Sequence, residues 1–314
     1  MQYYMAPLEG LTDHILRRTH AQIFGAADKY FTPFLSPTQD HCLSPRELKQ
    51  VLPFQPRLAP QLLTAKSGDF LWAAAALRAM GYEEVNLNLG CPSGTVTAKG
   101  KGCALLAYPE RLERLLEEIF SGLAALDPAP KISLKTRLGV DSLEEFPELL
   151  RIFHKYPISE LTVHARLGRE LYRPGVHQDG FAWAYEQARV PLCYNGDLFT
   201  VADCREAERK FPRLAALMLG RGLMADPALI RQLRGGPAAG RQELRQYTAR
   251  LGEEYGQAFG HANGALPRLK EVWRYLRQSF RGEEKWAKAI AKARSYQELS
   301  QAEQAIFDGC EMVK

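Results

Sequence analysis

The stretch EVNLNLGCP, residues 84–92, reads as a short buried strand that stops at a turn. Its apolar side chains alternate with asparagines, which is the period of a β-strand. A glycine and a proline then interrupt the pattern, so Cys91 is expected to begin a loop. A periodic apolar segment, 109–126, follows and predicts a helix. The fold depends on how often this strand-and-helix unit recurs.

The same unit recurs between residues 3 and 219. Short β-rich runs alternate there with helix-like segments. The predicted strands are 3–6, 29–33, 57–62, 84–89, 131–136, 160–164, 190–194 and 214–219. Eight such units predict an α/β fold of the (β/α)₈ TIM-barrel type, which typically takes about 250 residues. An open doubly wound sheet is the alternative, although no GxGxxG follows the first strand.

The composition changes after residue 233. Residues 234–241 are rich in glycine and proline, and residues 242–314 contain few β-branched residues. We therefore predict a barrel over 1–233, a linker over 234–241 and a small C-terminal helical domain over 242–314. Helices are predicted within that last domain at 242–259, 265–280, 284–293 and 300–311.

Composition excludes several classes of protein. The chain is 46% hydrophobic and 25% charged, which is typical of an ordered globular protein. It has neither a signal peptide nor a run of the ~18 apolar residues that a membrane span needs, so we expect a cytoplasmic protein. Six cysteines without a CxxC pair predict neither a disulfide framework nor a metal site. The net charge of +5 permits an anionic partner.

Polar or reactive residues follow seven of the eight predicted strands. In a TIM barrel, catalytic residues come from the carboxyl ends of the strands, where these residues fall. They are Glu9 after the first strand, then Gln61, the pair Asn88 and Cys91, Lys135, the pair His164 and Arg166, the run Asn195, Gly196 and Asp197, and finally Gly220 and Arg221. Their shared position predicts an active site at this end of the barrel.

The loops after the last two strands predict a phosphate site. Gly196 and Gly220 would let backbone N–H groups approach a phosphate closely, and Arg221 would add a charge-assisted contact. Lys135 and Gln61 are expected to project into the barrel mouth. A lysine there can stabilise a ring carbonyl that gains electron density, and a glutamine amide can pair with the edge of a heterocycle. That pairing suits a flavin, and His164 would contact the same ring or the substrate.

The segment after Cys91 is expected to be a mobile, basic loop. Residues 92–102 are rich in glycine and lysine, and Lys99 is assigned to substrate binding. A thiol at the base of such a loop, near lysines, can act as an acid or as a nucleophile. Cys103 begins a helix-like segment and is expected to be a packing residue.

Taken in order, these motifs resemble the bacterial tRNA-dihydrouridine synthases. The resemblance extends from residue 5 to about residue 227. It rests on MAPLEG at 5–10, NLGCP at 88–92, CALL at 103–106, KTRLG at 135–139, TVHAR at 162–166, NGD at 195–197 and MLGRG at 218–222. It implies a barrel that binds FMN, takes electrons from NADPH and reduces the C5–C6 double bond of particular uridines in tRNA. Hydride would reach C6 from the reduced flavin, and Cys91 would protonate C5.

The resemblance also assigns roles to the other residues. The groups expected to touch the flavin ring are Pro7, Leu8, Glu9, Gln61, Lys135 and His164. The residues expected to hold the phosphate end of the flavin are Asn195, Gly196, Asp197, Gly220 and Arg221. Asn88 would orient the uracil, and Arg166 would face the ligand. The chain departs from the family at Asn86, where aspartate is frequent, and at Gly94 and Thr97, where lysine and asparagine are frequent.

The C-terminal part is basic where it is predicted to be helical. Residues 268–294 contain nine lysines or arginines against three acids, with aromatic residues interleaved. We predict that this surface docks tRNA, that no protein partner is needed and that the protein is a monomer. Two alternatives remain, a flavin-dependent reductase of a free pyrimidine or another small molecule, and a non-catalytic RNA-binding barrel. The basic tail disfavours the first, and the set formed by Cys91, Lys135 and the phosphate loops disfavours the second.

Overall fold

A computed structural model, which describes residues 1–38 and 40–313, contains a barrel of parallel strands. The strands are β1 (Gln2–Met5), β2 (Lys29–Phe31), β3 (Leu58–Ala59), β4 (Gln61–Leu62), β5 (Glu84–Leu89), β6 (Lys131–Arg137), β7 (Glu160–His164), β8 (Leu192–Asn195) and β9 (Ala216–Leu219). They hydrogen-bond in the order β3-β2-β1-β9-β8-β7-β6-β5-β4. The predicted TIM barrel is confirmed.

Nine strands form eight positions because Pro60 interrupts one of them. Proline has no N–H to donate to the ladder, so the predicted strand 57–62 is split into β3 and β4. β3 pairs with β2, and β4 pairs with β5. Leu35, beyond β2, forms a parallel bridge with Leu62 of β4. The interrupted strand thus pairs on both sides and closes the ring.

Helices and short 3₁₀ turns connect and follow the strands. The helices are α1 (His14–Phe24), α2 (Pro45–Val51), α3 (Ser67–Ala79), α4 (Gly94–Thr97), α5 (Pro109–Leu123), α6 (Phe146–Phe153), α7 (Gln178–Gln187), α8 (Val201–Lys210), α9 (Arg221–Ala225), α10 (Leu229–Leu233), α11 (Arg241–Phe259), α12 (Leu266–Leu276), α13 (Glu284–Lys292) and α14 (Tyr296–Gly309). Within the described residues no helix has the length and apolarity to cross a membrane. In α5, Pro109 occupies the first turn and leucines at helical spacing form the buried face.

A partly buried ion network lies at the amino end of the barrel. Lys29 Nζ lies 2.8 Å from Glu84 Oε2 and 3.3 Å from Glu160 Oε1, and it also lies over the Tyr4 ring. The Tyr4 hydroxyl donates to Glu160 at 2.7 Å. Burial alone would lower the pKa of Lys29, but the two carboxylates outweigh it and raise that pKa. Each charge in this network therefore has a partner.

The chain divides into two compact units. The first comprises Met1–Pro7, Asp28–Asp197 and Glu206–Met218, and holds the barrel. The second comprises Leu8–Ala27, Leu198–Arg205 and Leu219–Lys314. These ranges cut across the predicted boundaries at 233 and 242, and the independence of the three predicted segments stays a prediction. In the structure, the predicted linker carries no helix or strand from residue 234 to 240.

The second unit is mainly helical and has its own aromatic core. The rings of Trp273, Phe280 and Phe307 lie 5.5 to 6.2 Å apart between centroids. Residues 242–314 were expected to be helical throughout, and this is wrong at β10 (Phe280–Arg281) and β11 (Glu311–Met312), which form a short antiparallel pair. Helix α1 belongs to this unit, because Phe24 packs on Tyr247 and the Tyr255 hydroxyl donates to Asp13 at 2.8 Å.

Candidate active site

Cys91 lies at the carboxyl end of β5, in a loop that is fixed from both sides. The Asn88 Oδ1 atom accepts from the backbone N–H of Gly90 at 3.0 Å and from that of Cys91 at 2.9 Å. The Cys91 carbonyl accepts from Cys103 N at 3.1 Å. Gly102, at φ +60°, allows this return, because a Cβ there would lie 2.6 Å from the Cys91 oxygen. The thiol is held at a defined place and is partly exposed.

The segment after Cys91 is more structured than the sequence suggested. Residues 94–97 form the short helix α4, and a 3₁₀ helix spans Gly102–Ala107. Cys103 is buried within it, where desolvation raises the pKa of its thiol to about 11, as expected for a packing residue. Lys99 is exposed just after α4. Its assignment to substrate binding stays a prediction.

Lys135 carries a charge without a protein partner. It lies on β6 beside Asn88 of β5 and Thr162 of β7 in the strand register. Within 1–38 and 40–313, its ammonium group makes no hydrogen bond or ion pair, although it is half-buried. Desolvation, reinforced by the Arg137 charge, lowers the Lys135 pKa to about 8. A cation in this state is suited to an electron-rich or anionic ligand group.

Gln61 lies on β4, across β5 from Lys135. Its amide is 1% exposed, donates to Asn86 Oδ1 at 2.8 Å and accepts from Asn88 Nδ2 at 2.8 Å. A primary amide has two N–H groups and two acceptor lone pairs, so one of each remains. Gln61, Asn88 and Lys135 therefore form a row across β4, β5 and β6. That row can donate to and accept from a heterocycle edge.

His164 and Arg166 form a second cluster, at the end of β7. Arg166 is fully buried, and its guanidinium lies 2.6 Å from Asp197 Oδ2 and 2.9 Å from His164 Nε2. Its Nε atom donates to the Arg173 carbonyl at 2.9 Å. A guanidinium can only donate, so His164 Nε2 accepts and the neutral ring carries its proton on Nδ1. Arg166 and Asp197 thus orient His164. Direct contact of His164 or of Arg166 with a ligand stays a prediction.

The predicted phosphate residues are divided between the two units. In the first unit, Asn195 Nδ2 donates to the Met218 carbonyl at 2.8 Å, which ties the ends of β8 and β9 together. Gly196 has φ +136°, and a Cβ there would touch Val176 at 3.0 Å and the His164 ring at 3.4 Å. Only glycine suits this tight turn.

In the second unit, Gly220 precedes α9 and Arg221 begins it, with the guanidinium 5.3 Å from the centre of the Phe199 ring. After β1, Pro7 belongs to the first unit, whereas Leu8 and Glu9 open a turn in the second. The Leu8 amide donates to Thr12 at 2.8 Å, and Glu9 is exposed. The roles predicted for these residues toward a ligand remain predictions.

Arg137 is a site-supporting residue to which the sequence analysis gave no role. It is 1% exposed and donates to three backbone carbonyls, those of Gly90 at 2.9 Å, Leu167 at 2.8 Å and Leu171 at 2.7 Å. It therefore ties the loop that carries Cys91 to the loop after β7. Its position two residues after Lys135, on the same side of β6, is the signal that would have identified it.

A basic groove lies between α12 and α13 in the second unit. Its volume is about 540 Å³, and buried Trp273 and Ile290 contribute to its lining. Charged residues of both helices line it as well, namely Lys270, Glu271, Arg274, Arg277, Glu284 and Lys288. Arg268, counted with the basic tail, has a different role: it pairs with Asp13 and donates to the Gly10 carbonyl.

Comparisons with known proteins agree with one another. The family model described as "Dihydrouridine synthase (Dus)" matches residues 4–311. The chain is 32% identical to the tRNA-dihydrouridine(16) synthase of Aquipseudomonas alcaligenes over 251 residues, 74% of this chain and 75% of that protein. It is 30% identical to the enzyme of the same name from Pseudomonas putida, over 87% of this chain and 81% of that protein. Among solved structures, an old yellow enzyme homologue from Zymomonas mobilis shares the fold at 12% identity, with a TM-score of 0.52 over 76% of this chain and 90% of that chain.

Proposed function

The chain belongs to the dihydrouridine synthase family, and we propose that it reduces a specific uridine of tRNA with FMN as cofactor and NADPH as reductant. Membership makes it a flavin-dependent oxidoreductase that forms dihydrouridine in tRNA. The observation that carries the finer proposal is the position of the unpaired Lys135 charge. Lys135 lies beside Asn88 in the strand register, and Asn88 precedes the partly exposed Cys91 by three residues.

The residues present fit an FMN. Lys135 offers a charge that no described protein group neutralises, and Gln61 retains one donor and one acceptor for a ring edge. Both suit the pyrimidine-like edge of an isoalloxazine. Gly196 and Gly220 with Arg221 are proposed to hold the phosphate, and Pro7, Leu8 and Glu9 to lie under the ring. His164 is proposed as a further contact to the ring.

The proposed chemistry divides between the cofactor and the chain. When bound and reduced by NADPH, FMN supplies hydride for C6 of the uracil. The protein's own task is to hold the uracil and deliver a proton to C5. The fixed backbone of Cys91, held by Asn88 and Gly102, supports this role, since a positioned thiol can act as a general acid. After each turnover the thiol regains its proton from solvent, to which it is partly exposed.

The tRNA is proposed to dock on the basic groove between α12 and α13. Arg274 and Arg277 remain 70% and 46% exposed at the side chain despite their pairs with Glu271 and Glu283. Exposed cationic side chains of this kind attract phosphates but do not distinguish one base from another. Folded RNA is recognised mainly by shape and backbone, and the target base is unstacked before it reacts.

Position 16 of tRNA is proposed as the target. The relatives from Aquipseudomonas alcaligenes, Pseudomonas putida and Cupriavidus necator are all named tRNA-dihydrouridine(16) synthases, at 30 to 32% identity. Gly94 and Thr97 are the first and last residues of α4, and neither is among the Cys91 contacts described above.

The function is tested with the purified protein. It should be yellow, and with NADPH and unmodified tRNA it should form dihydrouridine. Reduction of free uridine but not of tRNA would favour a small-molecule reductase instead. A colourless protein that FMN cannot reconstitute would contradict the proposal outright.

The docking surface is tested by charge reversal, since removal of 242–314 would uncover α1, which packs on α11. Arg274→Glu together with Lys288→Glu should weaken tRNA binding at least tenfold and lower its salt dependence by about two phosphate contacts. Arg209→Glu, on an exposed residue of α8 in the first unit, is the matched control and should change little. Equal effects of the two changes would rule out the groove.

A further inference from the structure

A chain of side-chain hydrogen bonds runs through the barrel from the amino end of β5. Glu84 Oε1 accepts from the Ser133 hydroxyl at 2.6 Å. The Ser133 oxygen accepts from Asn86 Nδ2 at 2.8 Å, and Asn86 Oδ1 accepts from Gln61 Nε2 at 2.8 Å. Ser133, Asn86 and Gln61 are at most 1% exposed. These side chains therefore depend on one another for their hydrogen bonds.

The chain continues to the loop of the proposed acid. Gln61 Oε1 accepts from Asn88 Nδ2 at 2.8 Å. Asn88 Oδ1 then accepts from the backbone N–H groups of Gly90 and Cys91 at 3.0 and 2.9 Å. Glu84 and Cys91, at opposite ends of β5, are thus the two ends of one hydrogen-bonded chain.

The two ends fix the direction of every bond between them. Glu84, paired with Lys29 at 2.8 Å, is an acceptor, whereas the backbone N–H of Cys91 can only donate. Each amide along the chain must therefore turn its nitrogen toward Glu84 and its oxygen toward Cys91. Rotating one of them by half a turn would place donor against donor in a buried site, which is strongly unfavourable. One arrangement satisfies the whole chain.

This direction limits what Asn88 can offer a ligand. Both lone pairs of its oxygen are used, and one of its two N–H groups is used, so a single N–H remains. We propose that Glu84 acts through this chain as a positioning residue, which makes Asn88 a donor toward the substrate and so selects a pyrimidine carbonyl. The inference rests on the proposed function, in which Asn88 orients the uracil. Uracil carries an oxygen at C4, where cytosine carries an amino group that would oppose this donor.

The same reasoning predicts which substitution of Asn86 keeps the direction of the chain. A carboxylate at this position would accept from Gln61 Nε2 as Asn86 Oδ1 does, but it could not donate to Ser133 as Asn86 Nδ2 does. Gln61 and Asn88 would keep their orientation, because the carboxylate is itself an acceptor, while the link to Glu84 would be lost. Asn86→Asp therefore preserves the direction of the chain from Gln61 onward, whereas a change that removes the acceptor does not.

The test uses Ser133→Ala, which interrupts the chain with the loss of one oxygen. Ser159→Ala is the matched control, because the Ser159 hydroxyl donates to the Ile132 carbonyl at 3.0 Å, outside the chain. Hydrogen exchange at Gly90 and Cys91 is measured in the flavin-free protein, and single-turnover uridine reduction in the reduced holoenzyme. For Ser133→Ala we expect exchange about tenfold faster and uridine reduction about tenfold slower, with flavin reduction by NADPH unchanged.

Asn86→Asp should keep wild-type exchange at both amides and uridine reduction within about threefold. Equal exchange and equal uridine reduction in Ser133→Ala and Ser159→Ala would overturn the inference, as would loss of amide protection in Asn86→Asp. Absence of dihydrouridine formation by the wild-type protein would instead contradict the proposed function. The exchange comparison would still decide whether the chain holds the loop.

Discussion

The two ends of the barrel treat buried charge in opposite ways. At the amino end, Lys29 is paired with Glu84 and Glu160, and Tyr4 completes the network. At the carboxyl end, Lys135 lies in the same barrel with no partner among the described residues, and its pKa falls to about 8. The paired charges hold strands together at the amino end of the barrel. Burial of an unpaired charge instead lowers the free energy of unfolding. The difference indicates that the carboxyl end is built for a ligand that completes it.

The largest effect is expected for Cys91→Ala, which tests whether the carboxyl end performs chemistry. Removing a general acid lowers a rate on the order of 10²- to 10⁴-fold, so dihydrouridine formation should fall by that range. Flavin content and NADPH oxidation should stay the same, because Cys91 is not needed for either. Cys42→Ala, which removes an exposed thiol, is the control. A Cys91→Ala protein that forms dihydrouridine at the control rate would exclude the acid role.

Lys29→Met tests the structural end of the comparison. It leaves Glu84 and Glu160 without their cation, and breaking a partly buried pair in this way should lower the free energy of unfolding by about 2 kcal/mol. Lys155→Met removes an exposed ion pair with Glu113 and should change it by less than about 1 kcal/mol. Urea denaturation measures both. The folded fraction of Lys29→Met should retain its flavin. Loss of flavin from a variant with the same free energy of unfolding as the wild type would contradict a purely structural role for Lys29.

Lys135→Met should show the reverse behaviour. A hydrogen bond to a charged group contributes about 1.5 to 3 kcal/mol, so FMN affinity should fall roughly tenfold to hundredfold. The flavin-free variant should be at least as stable as the wild type, since a desolvated charge has been removed. Lys131→Met, on the exposed first residue of β6, is the control. Fluorescence titration with FMN gives the affinities, and unchanged binding would place the flavin elsewhere.

The last prediction concerns the pH dependence of stability. The Lys135 pKa is about 8 in the folded protein against 10.5 for an ordinary lysine, so the unfolded chain binds more protons between these values. Stability of the flavin-free wild type should therefore rise relative to Lys135→Met as pH increases from 8 to 10.5, by about 3 kcal/mol in urea denaturation. Below pH 8 the difference should be constant. A pH-independent difference would show that Lys135 is not desolvated.

Sequence reasoning succeeded where local pattern determines structure. Strand alternation predicted the barrel, and the position of residues at strand ends predicted where Gln61, Asn88, Cys91 and Lys135 lie. It failed where distant strands meet. The network around Lys29 joins β2, β5 and β7, and no spacing along the chain signals it. The antiparallel pair of β10 and β11 depends on neighbours that the local pattern does not specify.

Charge counting in the C-terminal region shows the same limit. Arg268 contributes to a basic run in the sequence, yet it is held by Asp13 and the Gly10 carbonyl. Arg166 pairs with Asp197, 31 residues further along the chain, while its predicted contact with a ligand stays a prediction. In both cases the residue type was evident and its partner was not, because the partner is distant in sequence.

The central claim is that this barrel forms dihydrouridine in tRNA through Cys91. It is tested most directly by mapping dihydrouridine in tRNA from a strain that lacks the protein and is complemented with the wild type or with Cys91→Ala. We predict that dihydrouridine at position 16 is lost, and that the wild type restores it while Cys91→Ala does not. Unchanged dihydrouridine in the deletion strain, or full restoration by Cys91→Ala, would contradict the account.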